Sequence, residues 1–339
     1  MNPGTERYLI VSLGSIGRRH LRNLRTLRPT AEIAVLRLHS STEDIPEGAD
    51  YQFTELSAAV AFAPCAAIVA GPATTHVVVC TALVTAGIPV LTEKPLSNQL
   101  ENALEFATLA RQRQVGVTIG YNLRFLPSLQ ESRRLVLGGA IGTVRMVRAE
   151  VGQYLPDWRP DQDYKSTVSA QTKLGGGVLL ELSHEIDYLC WILGIPDRVI
   201  ARGGNMNVLD IAAEEAVELC LEYAVPPKLV NVHLDFLQRA PTRVCKFIGD
   251  DGTLIWNGIE DRVDMYRADT REWTQIDVPK MTDRNQMYLD EVRNFLNAPN
   301  ETGLVACHIG GGLDVLSVIE AAKESMQTHA VTPVQHHGR

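Results

Sequence analysis

No run of apolar residues in this 339-residue chain reaches the length of a membrane span, which argues against a helical membrane protein. Cysteine is sparse and scattered: six residues (Cys65, Cys80, Cys190, Cys220, Cys245, Cys307) with no C-x-x-C pair. Neither a disulfide framework nor a structural zinc site follows from such spacing; buried free thiols are the simple account, and no metal is expected. The zinc-dependent type of alcohol dehydrogenase is disfavoured for the same reason. Basic residues are outnumbered, 32 Lys and Arg against 40 Asp and Glu, for a net charge of −8. That balance supplies no basic surface for nucleic acid or acidic membranes. No G-x-S-x-G occurs, so serine hydrolase chemistry lacks its nucleophile elbow. The opening residues Met1 to Arg7 carry no signal-peptide pattern, and the expected compartment is the cytoplasm. There is no internal repeat and no low-complexity linker.

What is present describes a globular protein: 45% hydrophobic and 21% charged residues, in a chain too long for one ordinary core. Two domains are expected, 1–122 and 123–339, with the C-terminal helix free to pack back on the first. Short apolar runs of the kind buried on both faces of a parallel sheet occur at Arg7 to Leu13, Ile33 to Leu38, Ala67 to Ala70, Pro89 to Leu91 and Val115 to Gly120. Helical segments separate them, at Arg18 to Leu27, Thr75 to Thr85 and Asn98 to Gln112. This alternation predicts an α/β doubly wound sheet. Beyond residue 122 the period changes. Val217, Leu219, Leu221 and Tyr223 alternate with polar residues, as do Val230, Val232, Leu234 and Phe236. One apolar and one polar face per strand predicts a large, mainly antiparallel sheet open on one side. Two helices close the chain, near Arg284–Leu296 and Gly310–Thr328, and Gln335 to Arg339 reads as a frayed tail.

Several segments carry candidate chemistry. Gly14-Ser15-Ile16-Gly17 follows the first strand and opens a helix, the setting in which backbone amides cradle a pyrophosphate. Ser12 stands where G-x-G-x-x-G has its first glycine, so the alternative is a tight turn packing helix on strand. The second strand ends in Arg37, followed by Ser40 and Ser41, where NAD-preferring folds place an acid. An arginine there can grip a 2′-phosphate, which leans towards NADP, or it is a solvated surface residue. Gly71-Pro72-Ala73-Thr74-Thr75-His76 either lines a nicotinamide ribose or caps the next helix. Val90-Leu91-Thr92-Glu93-Lys94-Pro95 ends a buried strand in a lysine, where open α/β sheets bind ligands. Low polarity around a lysine makes it usable in proton transfer, although a plain turn reads the same way. Gly175-Gly176-Gly177 permits close backbone approach, and Ser183 is a candidate N-cap for a helix through Trp191. His184, in its first turn, can trade a proton with a hydroxyl or carbonyl and be oriented by Glu181 or Asp187; alternatively it decorates a helix start.

Taken in order, these segments resemble the Gfo/Idh/MocA family of NAD(P)-dependent sugar and cyclitol oxidoreductases. The likeness covers nearly the whole chain and rests on Gly14 to His20, Gly71-Pro72 to His76, Glu93-Lys94-Pro95, Tyr121 to Pro127, and Gly175 to Asp187. It implies a Rossmann domain followed by an open sheet that mediates oligomer contacts, hence a homo-dimer or homo-tetramer. It implies that Lys94 is the catalytic lysine and His184 the catalytic histidine. Many members have Asp where this chain has Glu181 and place their histidine four residues later rather than three, so the part of Glu181 stays open. Gly14, Ser15, Ile16, Gly17, Arg37, Ser40, Pro72, Thr74, His76, Glu93, Lys94, Asn122, Trp158 and Arg159 are then the cofactor residues. Lys94, Arg124, Tyr154, Tyr164 and His184 are the substrate residues.

The implied reaction is hydride transfer between C4 of a nicotinamide, in NADP or NAD, and a secondary alcohol or ketone of a sugar, aminosugar, nucleotide sugar or cyclitol. Two other readings stand beside it. One is glycoside hydrolysis by a tightly held NAD on the same fold. The other is a non-catalytic sensor that binds a nucleotide to regulate a partner, which would have no need of both Lys94 and His184.

Overall fold

The computed structural model of the chain describes residues 6–38, 44–297 and 306–337. Two compact units emerge, Met1–Phe125 with Asp283–Leu313, and Leu126–Thr282 with Asp314–Arg339. These differ from a single cut after residue 122, because the amphipathic pattern of 284–296 does not reveal which partner its apolar face covers.

In the first unit, β1 (Arg7–Val11) turns into α1 (Ser15–Leu27), followed by β2 (Glu32–Leu36), β3 (Tyr51–Phe53) and α2 (Leu56–Ala61). The alternation continues with β4 (Ala66–Val69), α3 (Ala73–Thr85), β5 (Val90–Glu93), α4 (Leu100–Arg113) and β6 (Val117–Gly120). These strands lie parallel in the order β3-β2-β1-β4-β5-β6. Leu9, Ile10 and Val11 of β1 and Ile33 to Leu36 of β2 are fully buried, as strands covered on both faces must be. One core joins Ile10, Ile33, Val35, Ile68 and Leu91 of the sheet to Leu21 and Leu24 of α1. Each such buried side chain contributes about 1.5–3 kcal/mol. Strand order reverses between β1 and β4, and the crevice outside their carboxyl ends is where sheets of this kind bind ligands.

The second unit begins with α5 (Pro127–Leu137), β7 (Val144–Gly152), α6 (Val178–Glu181) and α7 (His184–Leu193). Seven strands follow: β8 (Arg198–Gly204), β9 (Ala216–Tyr223), β10 (Lys228–Asp235), β11 (Thr242–Gly249), β12 (Gly252–Asn257), β13 (Arg262–Arg267) and β14 (Glu272–Ile276). The chain returns to the first unit with α8 (Asn285–Asn297), whose Val292 and Phe295 join the core described above, and with β15 (Cys307–His308), antiparallel on β6. The boundary between units then falls within α9 (Ile309–Thr328), and β16 (Thr332–Pro333) pairs with β8. Val334, just before the tail read as frayed, donates its amide to the Asp197 carbonyl and is buried.

The nine-stranded sheet runs β14-β13-β12-β11-β7-β10-β9-β8-β16. It is antiparallel throughout except where β10 lies parallel to β7. One face buries Val217, Leu219, Leu221, Val230, Val232, Leu234, Phe247 and Trp256. Trp256 is fixed there by its indole N–H, which donates to Ser128 of α5 at 3.0 Å, and by the ring of Tyr188 of α7, edge-on at 5.3 Å. The other face carries Arg148, Glu150, Glu218, Asn231 and His233. Among the described residues no helix is long and apolar enough to cross a membrane.

Candidate active site

The first turn of α1 is built for an anion. Gly14 and Ser15 are exposed and Ile16 half-buried, Gly14 is the N-cap, no side chain among the described residues caps the helix, and its first turn holds no acid. The leading amides and the positive end of the helix dipole are thereby left for a ligand. Gly17 is a packing requirement: a Cβ there would lie 2.1 Å from the Ser12 carbonyl oxygen. Ser12 takes the left-handed conformation, φ 70°, in place of the missing first glycine, and its amide donates to Leu36 at 2.9 Å. The turn thus keeps its shape without that glycine. The α/β crevice also receives Gly71, where an added Cβ would lie 3.0 Å from the Ser12 hydroxyl.

After β4, Pro72 is the N-cap of α3, and the Thr75 hydroxyl donates to the Pro72 carbonyl at 2.8 Å. Thr74 is half-buried. His76 is only 1% exposed, with Nδ1 2.9 Å from the Pro95 carbonyl oxygen and Nε2 2.8 Å from that of Gly71. Both ring nitrogens face the protein's own backbone, which leaves the imidazole nothing to offer a cofactor directly. Burial pushes its pKa below the usual value, against the two carbonyls that push it up. At the end of β5, Lys94 is half-buried, beside Glu93. Glu93 accepts from His20 Nε2 at 2.7 Å and lies against Gly120 at the end of β6. Burial pushes the Glu93 carboxyl up, but the bond to His20 and the charges of His20, Lys94 and His76 outweigh it and hold the group below its usual value. Among the residues singled out in the sequence, those at the ends of β1, β4 and β5 come together in this unit.

Arg37, just after β2, is half-buried, its Nε donating to Gln52 of β3 at 2.9 Å. Ser40 lies outside the described residues. Asn122 and Arg124 sit in a short 3₁₀ turn, both buried. Arg124 donates from Nη1 to the Ala306 carbonyl at 3.3 Å, so part of its guanidinium is spent on the chain itself.

In the second unit, Tyr154 is half-buried with the Arg239 guanidinium 3.4 Å from its ring centroid. Trp158 packs edge-on against Phe236, centroids 5.3 Å apart, and its buried indole N–H has no hydrogen-bond partner among the described residues. Arg159 is exposed. Tyr164 donates its hydroxyl proton to the Leu209 carbonyl at 2.8 Å, leaving its ring and one lone pair for any substrate. The glycine run is approached by protein rather than left open. A Cβ on Gly177, at φ 107°, would lie 2.3 Å from the Glu214 carboxyl. That carboxyl also accepts from the Leu179 amide at 3.3 Å, and burial raises its pKa. Glu181 accepts from the Ser169 hydroxyl at 2.8 Å. His184 is half-buried and opens α7, which reaches Leu193 rather than Trp191. Ser183 holds the N-cap position but makes no cap hydrogen bond. α6 runs almost directly into α7, so Ser183 has helical angles (φ −63°, ψ −8°) instead of the extended ones capping needs.

Two groups near these residues had no assigned role in the sequence reading. His20 is one; its signal is its place on the buried stripe of α1, with Gly17, Leu21 and Leu24. The other is Glu185, fully buried next to His184 and bonded by Arg243 of β11 at 2.9 and 3.4 Å. Among the described residues no three His, Cys, Asp or Glu side chains gather to hold a metal ion.

A doubly wound sheet with an uncapped helix at its switch point, followed by an open mixed sheet, defines a two-unit fold of the nucleotide-binding oxidoreductase type. Residues 6–121 match the family described as "Oxidoreductase family, NAD-binding Rossmann fold", and residues 129–255 match the "GFO/IDH/MocA C-terminal domain". The chain belongs to the Gfo/Idh/MocA family, and its first unit is an NAD-binding Rossmann fold. It is 30% identical over 128 residues to the rhizopine catabolism protein MocA of Rhizobium meliloti, covering 38% of this chain and 37% of that one. It is 29% identical over 149 residues to the myo-inositol dehydrogenase Hyg17 of Streptomyces leeuwenhoekii, covering 43% of each. The matched stretch spans between 34% and 43% of the length of such curated relatives. A solved levoglucosan dehydrogenase, in complex with NADH and L-sorbose, shares the fold at TM-score 0.85 and 15% identity, over 98% of this chain and 99% of that one.

Proposed function

We propose that this chain transfers a hydride between a nicotinamide cofactor and a secondary alcohol or ketone of a sugar, aminosugar, nucleotide sugar or cyclitol. The observation that carries the reading is one feature of the first unit. An uncapped helix start at Gly14 and a half-buried lysine at the end of β5 share the carboxyl edge of one parallel sheet. Family membership supports it, as do the activities of similar proteins, a myo-inositol dehydrogenase and a levoglucosan dehydrogenase.

The residues fit a dinucleotide. A Cβ at Gly14 would meet none of the described residues within 4 Å, which leaves the turn open to a pyrophosphate, while Gly17 is filled by Ser12. The amides of Ser15, Ile16 and Gly17 hold the phosphates, and Pro72, Thr74 and Asn122 line the ribose and ring. Arg37 meets a 2′-phosphate, which makes NADP the preferred cofactor. When bound, the cofactor supplies the two-electron chemistry. Lys94 donates a hydrogen bond to the reacting oxygen and stabilises it as its proton leaves. His184 exchanges that proton with solvent. Arg124, Tyr154 and Tyr164 contribute to the sugar site, and Trp158 and Arg159 to the cofactor.

We further propose that the open face of the nine-stranded sheet joins copies of this chain into a dimer or tetramer. The register places Trp273, Tyr266, Thr253, Ile248, Met146 and Leu229 in one row across six strands. Trp273 is 55% and Leu229 45% exposed, an apolar stripe that a second copy would cover. Sedimentation of the parent chain against Leu229→Asp checks this: the variant is expected to shift towards monomer, and a monomeric parent would contradict it.

The functional reading is tested by fluorescence-quenching titration with NADH and NADPH. A screen of myo-inositol, levoglucosan, free aminosugars and nucleotide sugars for change in nicotinamide absorbance follows. Binding of either cofactor together with net turnover of one carbohydrate class is expected. Absence of cofactor binding contradicts the reading, and substrate hydrolysis without net cofactor turnover replaces it.

A further inference from the structure

Lys94 is bracketed by two buried histidines. On its amino side stands Glu93, whose Oε1 lies 2.7 Å from Nε2 of His20 in α1, and His20 is completely buried. The other nitrogen of that ring, Nδ1, is buried with no hydrogen-bond partner among the described residues. A carboxylate only accepts, so it is Nε2 of His20 that donates to Glu93. The second carboxylate oxygen, Oε2, takes a longer contact of 3.3 Å from the Lys94 amide. On the carboxyl side stands Pro95, whose carbonyl faces Nδ1 of His76 in α3 at 2.9 Å. Nε2 of the same ring faces the Gly71 carbonyl at 2.8 Å. A carbonyl only accepts, so an imidazolium donates to both oxygens and a neutral ring to one at a time.

The residues flanking Lys94 are therefore each tied to a different helix, and those helices open at the two turns that border the crevice, after β1 and after β4. A lysine side chain has four rotatable bonds, so the place of its ammonium depends on how firmly its backbone is held. We infer that His20 and His76 are positioning residues that fix the Lys94 backbone to the glycine turn and to the Gly71 turn. This rests on the reading of Lys94 as the group that meets the reacting oxygen. It adds that Glu93 is a strut between α1 and β5 rather than an acid acting on substrate.

The test compares His20→Leu and His76→Leu with His20→Gln and His76→Gln in the full chain. A glutamine amide can donate to the Glu93 carboxylate from position 20 and to a facing backbone carbonyl from position 76. Hydrogen–deuterium exchange without any ligand reads the brace itself. The leucine variants are expected to exchange faster in the peptide covering 90–97 while the rest of the Rossmann sheet is unchanged, and the glutamine variants to restore it. With the carbohydrate that the parent turns over best, kcat of the leucine variants falls about 10- to 100-fold, the penalty of a small misplacement. The NADH dissociation constant stays at the parent value. Unchanged exchange in 90–97 overturns the inference, and so does faster exchange across the whole unit that glutamine does not restore. Lys94→Met separates the layers. If it abolishes turnover while the leucine variants keep theirs, the brace alone is wrong; if it turns over like the parent, the reading beneath the brace is wrong as well.

Discussion

The imidazole of His20 and the carboxylate of Glu93 form a buried link, Nε2 to Oε1 at 2.7 Å, between the helix that follows the glycine turn and the residue that precedes Lys94. Removing the carboxylate strands the His20 donor in a dry site. Glu93→Ala is expected to lower unfolding free energy by about 1–3 kcal/mol, the cost of one buried unsatisfied donor. Glu93→Gln, which still accepts through its amide oxygen, should lose less. Urea unfolding of the two variants checks the order.

The glycine turn separates packing from binding. Gly17→Ala puts a methyl 2.1 Å from the Ser12 carbonyl and should destabilise the chain by about 1–3 kcal/mol, as overpacking does. Gly14→Ala meets no atom of the described residues within 4 Å, at φ −66°, and should melt like the parent. Its methyl projects into the space assigned to the cofactor, so its NADH affinity should fall. Melting curves and quenching titrations on both variants are sufficient. Equal melting with equal NADH affinity in Gly14→Ala would remove the turn from the cofactor site.

The proposed preference for NADP rests on Arg37. If its guanidinium meets a 2′-phosphate, Arg37→Ala should weaken NADPH binding about 10- to 100-fold, the worth of a charge-assisted hydrogen bond, and leave NADH binding nearly unchanged. Its bond to Gln52 holds the side chain beside β3, so Gln52→Ala should produce a smaller effect of the same sign.

His233 predicts a pH dependence of stability. It lies between Glu218, 2.5 Å from Nδ1, and Asp235, 2.9 Å from Nε2. The bond to Asp235 leads, with Glu218 assisting, and together they overcome burial and raise its pKa from 6.5 to about 9. A folded-state pKa above the unfolded one means the charged histidine stabilises the chain fully below pH 6.5, and this contribution is lost as pH rises through 9. The melting temperature should therefore fall between these values, and His233→Gln should flatten that stretch of the curve. A parent curve already flat there would contradict the assignment.

Much of this architecture is legible in the sequence because burial leaves a pattern. β1, β2, β4, β5 and β6 read as apolar runs since helices cover both faces, and β9 and β10 alternate since only one face is covered. β3 and α2 escape because Tyr51 to Phe53 are only half-buried and the helix is one and a half turns long. The parallel pairing of β7 with β10 escapes for another reason: a period of two is the same whichever way the neighbouring strand runs.

The candidate site is legible where a residue type is scarce for physical reasons, as with Gly17 or the lysine at a strand end. Ser12 looks like a defect in the glycine motif, yet it adopts the left-handed turn itself. His20 and His76 read as ordinary helix residues, and only coordinates reveal that their nitrogens reach Glu93, Pro95 and Gly71. The triple glycine signals close approach without saying of what; here the approaching group at Gly177 is the chain's own Glu214.

The most direct measurement is the pair of NADH affinity and carbohydrate turnover in Lys94→Met, made beside the parent on the carbohydrate it turns over best. Loss of at least about 100-fold in kcat with the NADH dissociation constant unchanged is the predicted result, since proton transfer by a positioned group contributes that much. Turnover equal to the parent's would contradict the central claim that Lys94 handles the reacting oxygen.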